Sequence, residues 1–173
     1  AIQTDLPQSN QVAWSPEEQW RDVNAYARLT LEALDASGGS ADLVAWPETM
    51  LPGVGLEPAS TRVMTEQGWW PGDRFATLAV ELQSLVGTPL LLGSPSFEGL
   101  AVTAEETLDW DARYNSTYLL DEGGVALVTR YDKLFLTPFG ETMPYISAWS
   151  WLENLLLDFG ARGMRFDLVA GRD

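Results

Sequence analysis

Apolar positions along this chain switch between two spacings, and the switches mark its elements. From Pro16 to about Asp35 the residues Trp20, Val23, Ala27, Leu31 and Leu34 recur three to four apart, the repeat of an amphipathic helix. Ser15 as N-cap, Pro16 at the first helical position and Glu18 closing a capping box predict where it starts. Ser37-Gly38-Gly39-Ser40 predicts where it stops. Asp42 to Trp46 reads as a buried-type strand, apolar from Leu43 onward, and it carries Pro47-Glu48 at its carboxyl end. A short strand over Ala1 to Thr4, closed by Asp5-Leu6-Pro7-Gln8, precedes the helix and completes a β-helix-β unit.

The same alternation repeats. Pro52 to Pro58 is punctuated as a loop, Gly72-Asp73 opens a second helix over roughly Arg74 to Val86, and Phe75, Leu78, Ala79, Leu82 and Leu85 are its apolar positions. Thr88 to Gly93 reads as another buried strand. Phe97 to Ala112 reads as an acidic, insert-like loop. Tyr114 to Leu120 and Val125 to Arg130 flank Asp121-Glu122-Gly123-Gly124, a hairpin signal. Beyond Lys133 the pattern is loop-like, with a helix possible over Ser147 to Asp158 and a last apolar stretch over Phe166 to Gly171. Helices alternating with strands predict an α/β fold with parallel pairing. Residues 1–173 form a single domain in this reading, with no linker, internal repeat or low-complexity run.

Composition narrows the chemistry. Twenty-five acidic residues against ten basic ones give a net charge of −15, a surface that repels nucleic acid and offers no basic patch to anionic lipid. The chain has neither histidine nor cysteine, which removes a Ser-His-Asp triad, disulfides and thiolate metal sites from its 173 residues. A hydrophobic share of 46% argues against disorder, and no apolar stretch reaches the roughly 18–20 residues that span a bilayer.

Three charged residues stand where chemistry is commonly placed. Glu48 follows a buried-type strand, where ligands gather in open α/β sheets. Partial desolvation there would raise its pKa toward that of a general base; otherwise it is a solvated acid in a strand-ending turn. Lys133 follows the hairpin's second strand, placed either to hold an oxyanion or to pair with neighbouring Asp132 at the surface. Glu141 lies eight residues on, and either folds back to orient that ammonium or stands idle in a loop. Trp69-Trp70 line a cleft, touch lipid head groups or pack in the core. Asn115-Ser116-Thr117 matches a glycosylation sequon, which carries no weight, and its residues are expected to pair across the sheet.

In their order, these segments resemble the nitrilase-like domain of apolipoprotein N-acyltransferases, members of the carbon–nitrogen hydrolase superfamily. Ile2 to Gln8 is similar to that family's first strand and Pro-Gln turn, and Leu43 to Glu48 to the strand with its base glutamate. Tyr114-Asn115-Ser116 resembles a Tyr-Asn-Thr/Ser strand, and Tyr131-Asp132-Lys133 through Pro138-Phe139-Gly140-Glu141 and Pro144 the lysine segment. Phe135 stands where a histidine is common, and Phe97 to Ala112 has no clear counterpart.

The resemblance implies the front part of a four-layer αββα sandwich and a Glu-Lys-Cys mechanism. Glu48 and Lys133 would be the base and oxyanion donor, Glu141 their support, and Trp14 would fall at a tryptophan tied to substrate. It implies no metal or organic cofactor. A phospholipid would donate an acyl chain, through a cysteine thioester, to the amine of a diacylglyceryl lipoprotein. The enzyme would sit at the bacterial inner membrane, this domain on the periplasmic side, anchored by segments absent from this chain. The nucleophile would lie beyond Asp173, leaving these residues inactive alone. A soluble amidase or nitrilase, and a non-catalytic nitrilase-like binding module, are the competing readings.

Overall fold

A computed structural model describes residues 1–3, 14–121, 129–137, 141 and 168–171. Helix α1 spans Pro16–Ala36 and begins on the capping box that the sequence predicts. The Ser15 hydroxyl accepts from the Glu18 backbone N–H at 3.3 Å, and the Glu18 carboxylate accepts from the Ser15 N–H at 3.0 Å. Two of the four orphan donors at the helix start are thereby satisfied. The buried face is Asp22, Val23, Tyr26, Thr30 and Leu34. Leu31, expected on it, is exposed: the stripe follows Tyr26 and Thr30 because both meet the Trp46 indole.

Strand β1 (Val44–Ala45) lies parallel to β2 (Leu90–Glu98), as the β-helix-β reading predicts. Between them come α2 (Pro58–Gln67) and α3 (Phe75–Val86). The sequence reading has no α2, since Met64 is its one large buried apolar residue and its pattern is weak. Nor does Asp73 cap α3: the cap position is Arg74, without a side-chain bond, and Asp73 pairs with that arginine at 3.3 Å. Leu85, expected on the apolar face of α3, is 71% exposed.

The stretch Phe97 to Ala112 is not an insert-like loop. Strand β2 runs through Glu98 and pairs antiparallel with β5 (Ala112–Leu120) over nine residue pairs, from Leu90↔Leu120 to Glu98↔Ala112. The turn between them carries its own small ladder, β3 (Ala101–Val102) on β4 (Leu108–Asp109). Strand β6 (Thr129–Asp132) completes the order β1-β2-β5-β6. Residues 122–128, where the hairpin turn is expected, lie outside the described residues, as do 5–8 and the helix expected over 147–158. Residues 1–3 form no strand, although the Ile2 N–H donates to the Ala45 carbonyl at 2.9 Å. Of the last apolar stretch, Leu168 forms a parallel bridge with Arg113.

Strand alternation divides the sheet into two faces. Val44, Trp46, Leu90, Leu92, Tyr118 and Leu120 point one way and pack under Val23, Tyr26 and Leu34 of α1 and Phe75, Ala79 and Leu82 of α3. The alternate residues Ala45, Leu91, Gly93, Asn115, Thr117 and Tyr131 share the opposite face. The candidate site is built there.

Candidate active site

The glutamate turn is set by how β1 ends. Trp46 makes the last rung, its N–H donating to Leu91 O at 2.9 Å, and Pro47 has no N–H to continue. The chain turns through Thr49, which stands in the left-handed region at φ 58°. It rejoins β2 where the Leu51 N–H donates to Gly93 O at 2.9 Å. Gly93 lies directly under this turn: a β-carbon there would sit 2.6 Å from Pro47 O and Thr49 N and 2.8 Å from Glu48 Cα. The missing side chain is what lets the glutamate backbone lie on the strand. From the helix side, the Trp46 indole donates to Thr30 Oγ1 at 3.0 Å and packs on Tyr26, ring centres 5.2 Å apart.

Glu48 and Lys133, 85 positions apart, meet on this face: the ammonium donates to Glu48 Oε1 at 3.0 Å. It also reaches both oxygens of Glu141 at 3.0 Å. Asp132 is not its partner; that carboxylate points to the other face, to Ser116 and Arg130. Asn115 stands between the two glutamates. Its amide donates to Glu48 Oε1 and, at 2.8 Å, to Glu141 Oε1. Its backbone O accepts from the Lys133 N–H at 2.9 Å. The sequence reading missed Asn115 as a site residue. The available signal was a polar Asn on the half-buried side of a strand whose alternate residues are buried.

Electrostatics follow from these bonds. The hydrogen bond from Lys133 to Glu141, joined by the bond to Glu48 and the charge of both carboxylates, outweighs desolvation and raises the lysine pKa, so the ammonium is held charged. Burial pushes the Glu141 carboxyl up, but bonds from the Thr137 N–H, Asn115 and Lys133 overcome it and hold its pKa at about 2. Glu141 is also fixed locally, since its own N–H donates to Thr137 O at 2.9 Å. Glu48 differs from the sequence expectation of partial desolvation: its side chain is 60% exposed among the described residues. It reaches solvent at the edge of the site, open to an incoming group.

Three cavities meet at Glu48. One of about 700 Å³ is lined by Ile2, Trp14, Tyr26, Trp46, Glu48 and Met50. A second, about 270 Å³, lies over Gly93, Asn115, Tyr131 and Lys133; a third, about 260 Å³, reaches Arg113 and Glu141. Trp14 thus shares a cavity with Glu48, but its indole N–H is committed to buried Asp22 at 3.0 Å, leaving the ring for apolar contact. Trp70 is half exposed and packs against Trp20, ring centres 6.2 Å apart, away from these cavities.

An acid and an ammonium in contact at the strand ends of an α/β sheet define a site suited to proton transfer beside a fixed positive charge. The carbon-nitrogen hydrolase family model matches residues 5–156, and the chain belongs to that family. It is 29% identical over 159 residues to the apolipoprotein N-acyltransferase of Geobacter metallireducens, covering 92% of this chain and 26% of that protein. The apolipoprotein N-acyltransferase of Chlorobaculum tepidum is 30% identical over 152 residues, 81% of this chain and 26% of the relative. That of Caulobacter vibrioides is 31% identical over 145 residues, 83% and 23%. The chain therefore spans about a quarter of the length of the curated relatives it matches. A solved carbon-nitrogen hydrolase from Helicobacter pylori overlaps 89% of this chain and 40% of its own, with 13% identity and a TM-score of 0.46. No helix among the described residues is long and apolar enough to cross a membrane.

Proposed function

We propose that this chain is the amino-terminal part of the hydrolase-type domain of an apolipoprotein N-acyltransferase. The observation that carries the reading is the Lys133–Glu48 contact at 3.0 Å, on the sheet face opposite the helices, in a chain similar to enzymes of that name. The nucleophile is a cysteine thiol outside these 173 residues, which contain none. These residues are therefore inactive alone.

Glu48 takes the proton of that thiol, and the thiolate attacks the ester carbonyl of a phospholipid. The tetrahedral oxyanion forms beside the Lys133 ammonium, a stabilisation worth about 3–4 kcal/mol per donor. Its collapse expels the lysophospholipid alkoxide, which recovers the proton from Glu48 and leaves a thioester. The amino group of a diacylglyceryl lipoprotein then attacks the thioester, Glu48 removes a proton from the nitrogen, and the amide forms as the thiol departs. Glu141 and Asn115 position Lys133 and Glu48, and the Trp14 ring lines the apolar cavity beside the base. The enzyme works at the bacterial inner membrane with this domain on the periplasmic side, held by membrane segments outside these residues.

The test is lipoprotein N-acylation by the intact enzyme that carries this chain. Glu48→Gln and Lys133→Ala are each expected to abolish it while the protein remains folded and membrane-bound. Near-normal acylation by either variant would refute its assigned role.

A further inference from the structure

On the helix-facing side of the sheet, behind Lys133, lies a second charged cluster. Arg130 donates from Nη1 to Glu57 Oε1 and to Ser96 Oγ, each at 2.7 Å, and from Nη2 to Asp132 Oδ2 at 2.9 Å. The Tyr118 hydroxyl donates to Glu57 at 2.9 Å, and Ser116 donates to Asp132 Oδ1 at 2.6 Å. Four elements are joined: β2, β5, β6 and the loop that trails the Glu48 turn. Space for the guanidinium comes from the small buried serines Ser94, Ser96 and Ser116, which share this sheet face with the larger Leu90, Leu92, Tyr118 and Leu120. Gly55 holds φ +84°, and a β-carbon on it would strike the Tyr118 hydroxyl and Glu57, so the loop is shaped to bring the carboxylate in.

Arg130 and Glu57 are only partly buried, and ion pairs that keep solvent contact add little to stability, so stability alone is a poor account of the cluster. Register is a better one. Arg130 and Asp132 of β6 point to the helix side, while Tyr131 and Lys133, the residue just past the strand, point to the site side. The strand has only four residues, forms one edge of the described sheet, and pairs with β5 over four positions. A slip of one residue would move every side chain to the other face and carry Lys133 away from Glu48. Backbone rungs would re-form after such a slip; the Arg130 contacts would not.

We propose that Arg130, held by Glu57 and Asp132, is a positioning residue that locks β6 in register on β5 and so places Lys133 on the Glu48 side of the sheet. The inference concerns how the site is assembled, and it stands whether or not the acyltransferase reading does.

The lock is tested on the intact protein that carries this chain, with a water-soluble carbodiimide. The reagent activates a carboxylate, the lysine amine displaces the urea, and an amide forms only between groups already in contact. In the wild-type chain the expected product is an isopeptide between Lys133 and Glu48 or Glu141, identified by peptide mass spectrometry. In Arg130→Met/Glu57→Leu the chain is expected to keep its cooperative thermal melt and lose that product.

Adding Thr117→Cys/Tyr131→Cys to this variant pins the native register, since those residues face each other across the strands. An opposed pair about 5.5 Å apart at Cα is within disulfide range. The disulfide is expected to restore the Lys133 cross-link. Wild-type cross-link yield in the folded Arg130→Met/Glu57→Leu variant would overturn the proposal. So would failure of the disulfide to restore the product, including in a variant that unfolds without it.

Discussion

Replacing Gly93 by alanine adds one methyl group directly beneath the glutamate turn. Gly93 is not in the left-handed region, so its backbone accepts alanine and the effect is purely steric. The new β-carbon would sit 2.6 Å from Pro47 O and Thr49 N, and every atom it meets there is backbone. Reaching ordinary van der Waals contact requires the turn to lift by about 0.8 Å. Glu48 Oε1 is displaced with it by up to about 0.8 Å, enough to stretch its 3.0 Å bond to Lys133 Nζ past hydrogen-bond range. Overpacking of this kind costs about 1–3 kcal/mol, small against a typical domain stability of about 5–15 kcal/mol, so the variant should fold. A misplacement of this size beside the reacting atoms is expected to cost about 10²-fold in rate. The assays are lipoprotein acylation by the intact enzyme, the thermal midpoint, and carbodiimide coupling of Lys133 to Glu48. An unchanged rate with unchanged coupling would refute the argument that Gly93 sets the position of the base.

Two further outcomes follow from the same geometry. Asn115→Asp puts a third carboxylate between Glu48 and Glu141. It should abolish acylation while Asn115→Ser retains part of it, and equal rates for the two would remove Asn115 from the positioning role. Glu141, held at about 2 against an ordinary 4.5, contributes stability that is fully present above pH 4.5 and lost as pH falls toward 2. In urea unfolding, Glu141→Gln should be less stable than wild type by about 1–2 kcal/mol at pH 7 after allowance for solvent screening, with the gap closing toward pH 2. A gap that stays constant across that window would refute the depressed carboxyl.

Much of the framework was legible in residue order alone. The capping box at Ser15 and Glu18, the stop at Ser37, and the parallel relation of β1 to β2 are local or periodic signals, fixed by groups within a few positions of each other. The glutamate and the lysine could also be singled out, because strand ends are read from the same periodicity. The limits of that periodicity are equally visible. It put Leu31 and Leu85 on buried faces and missed α2, because which side of a helix is covered depends on what the chain brings alongside.

What only the tertiary structure decided is which charges meet. Sequence left Lys133 a choice between adjacent Asp132 and distant glutamates. The strand order β1-β2-β5-β6 and the two-residue alternation of β6 send the two neighbours to opposite faces. Asn115 and Gly93 gain their roles in the same way, one by spanning two carboxylates and the other by the side chain it lacks. Such roles arise from register and close approach between segments far apart in the chain, and those distances are set by folding rather than by any local run of residues.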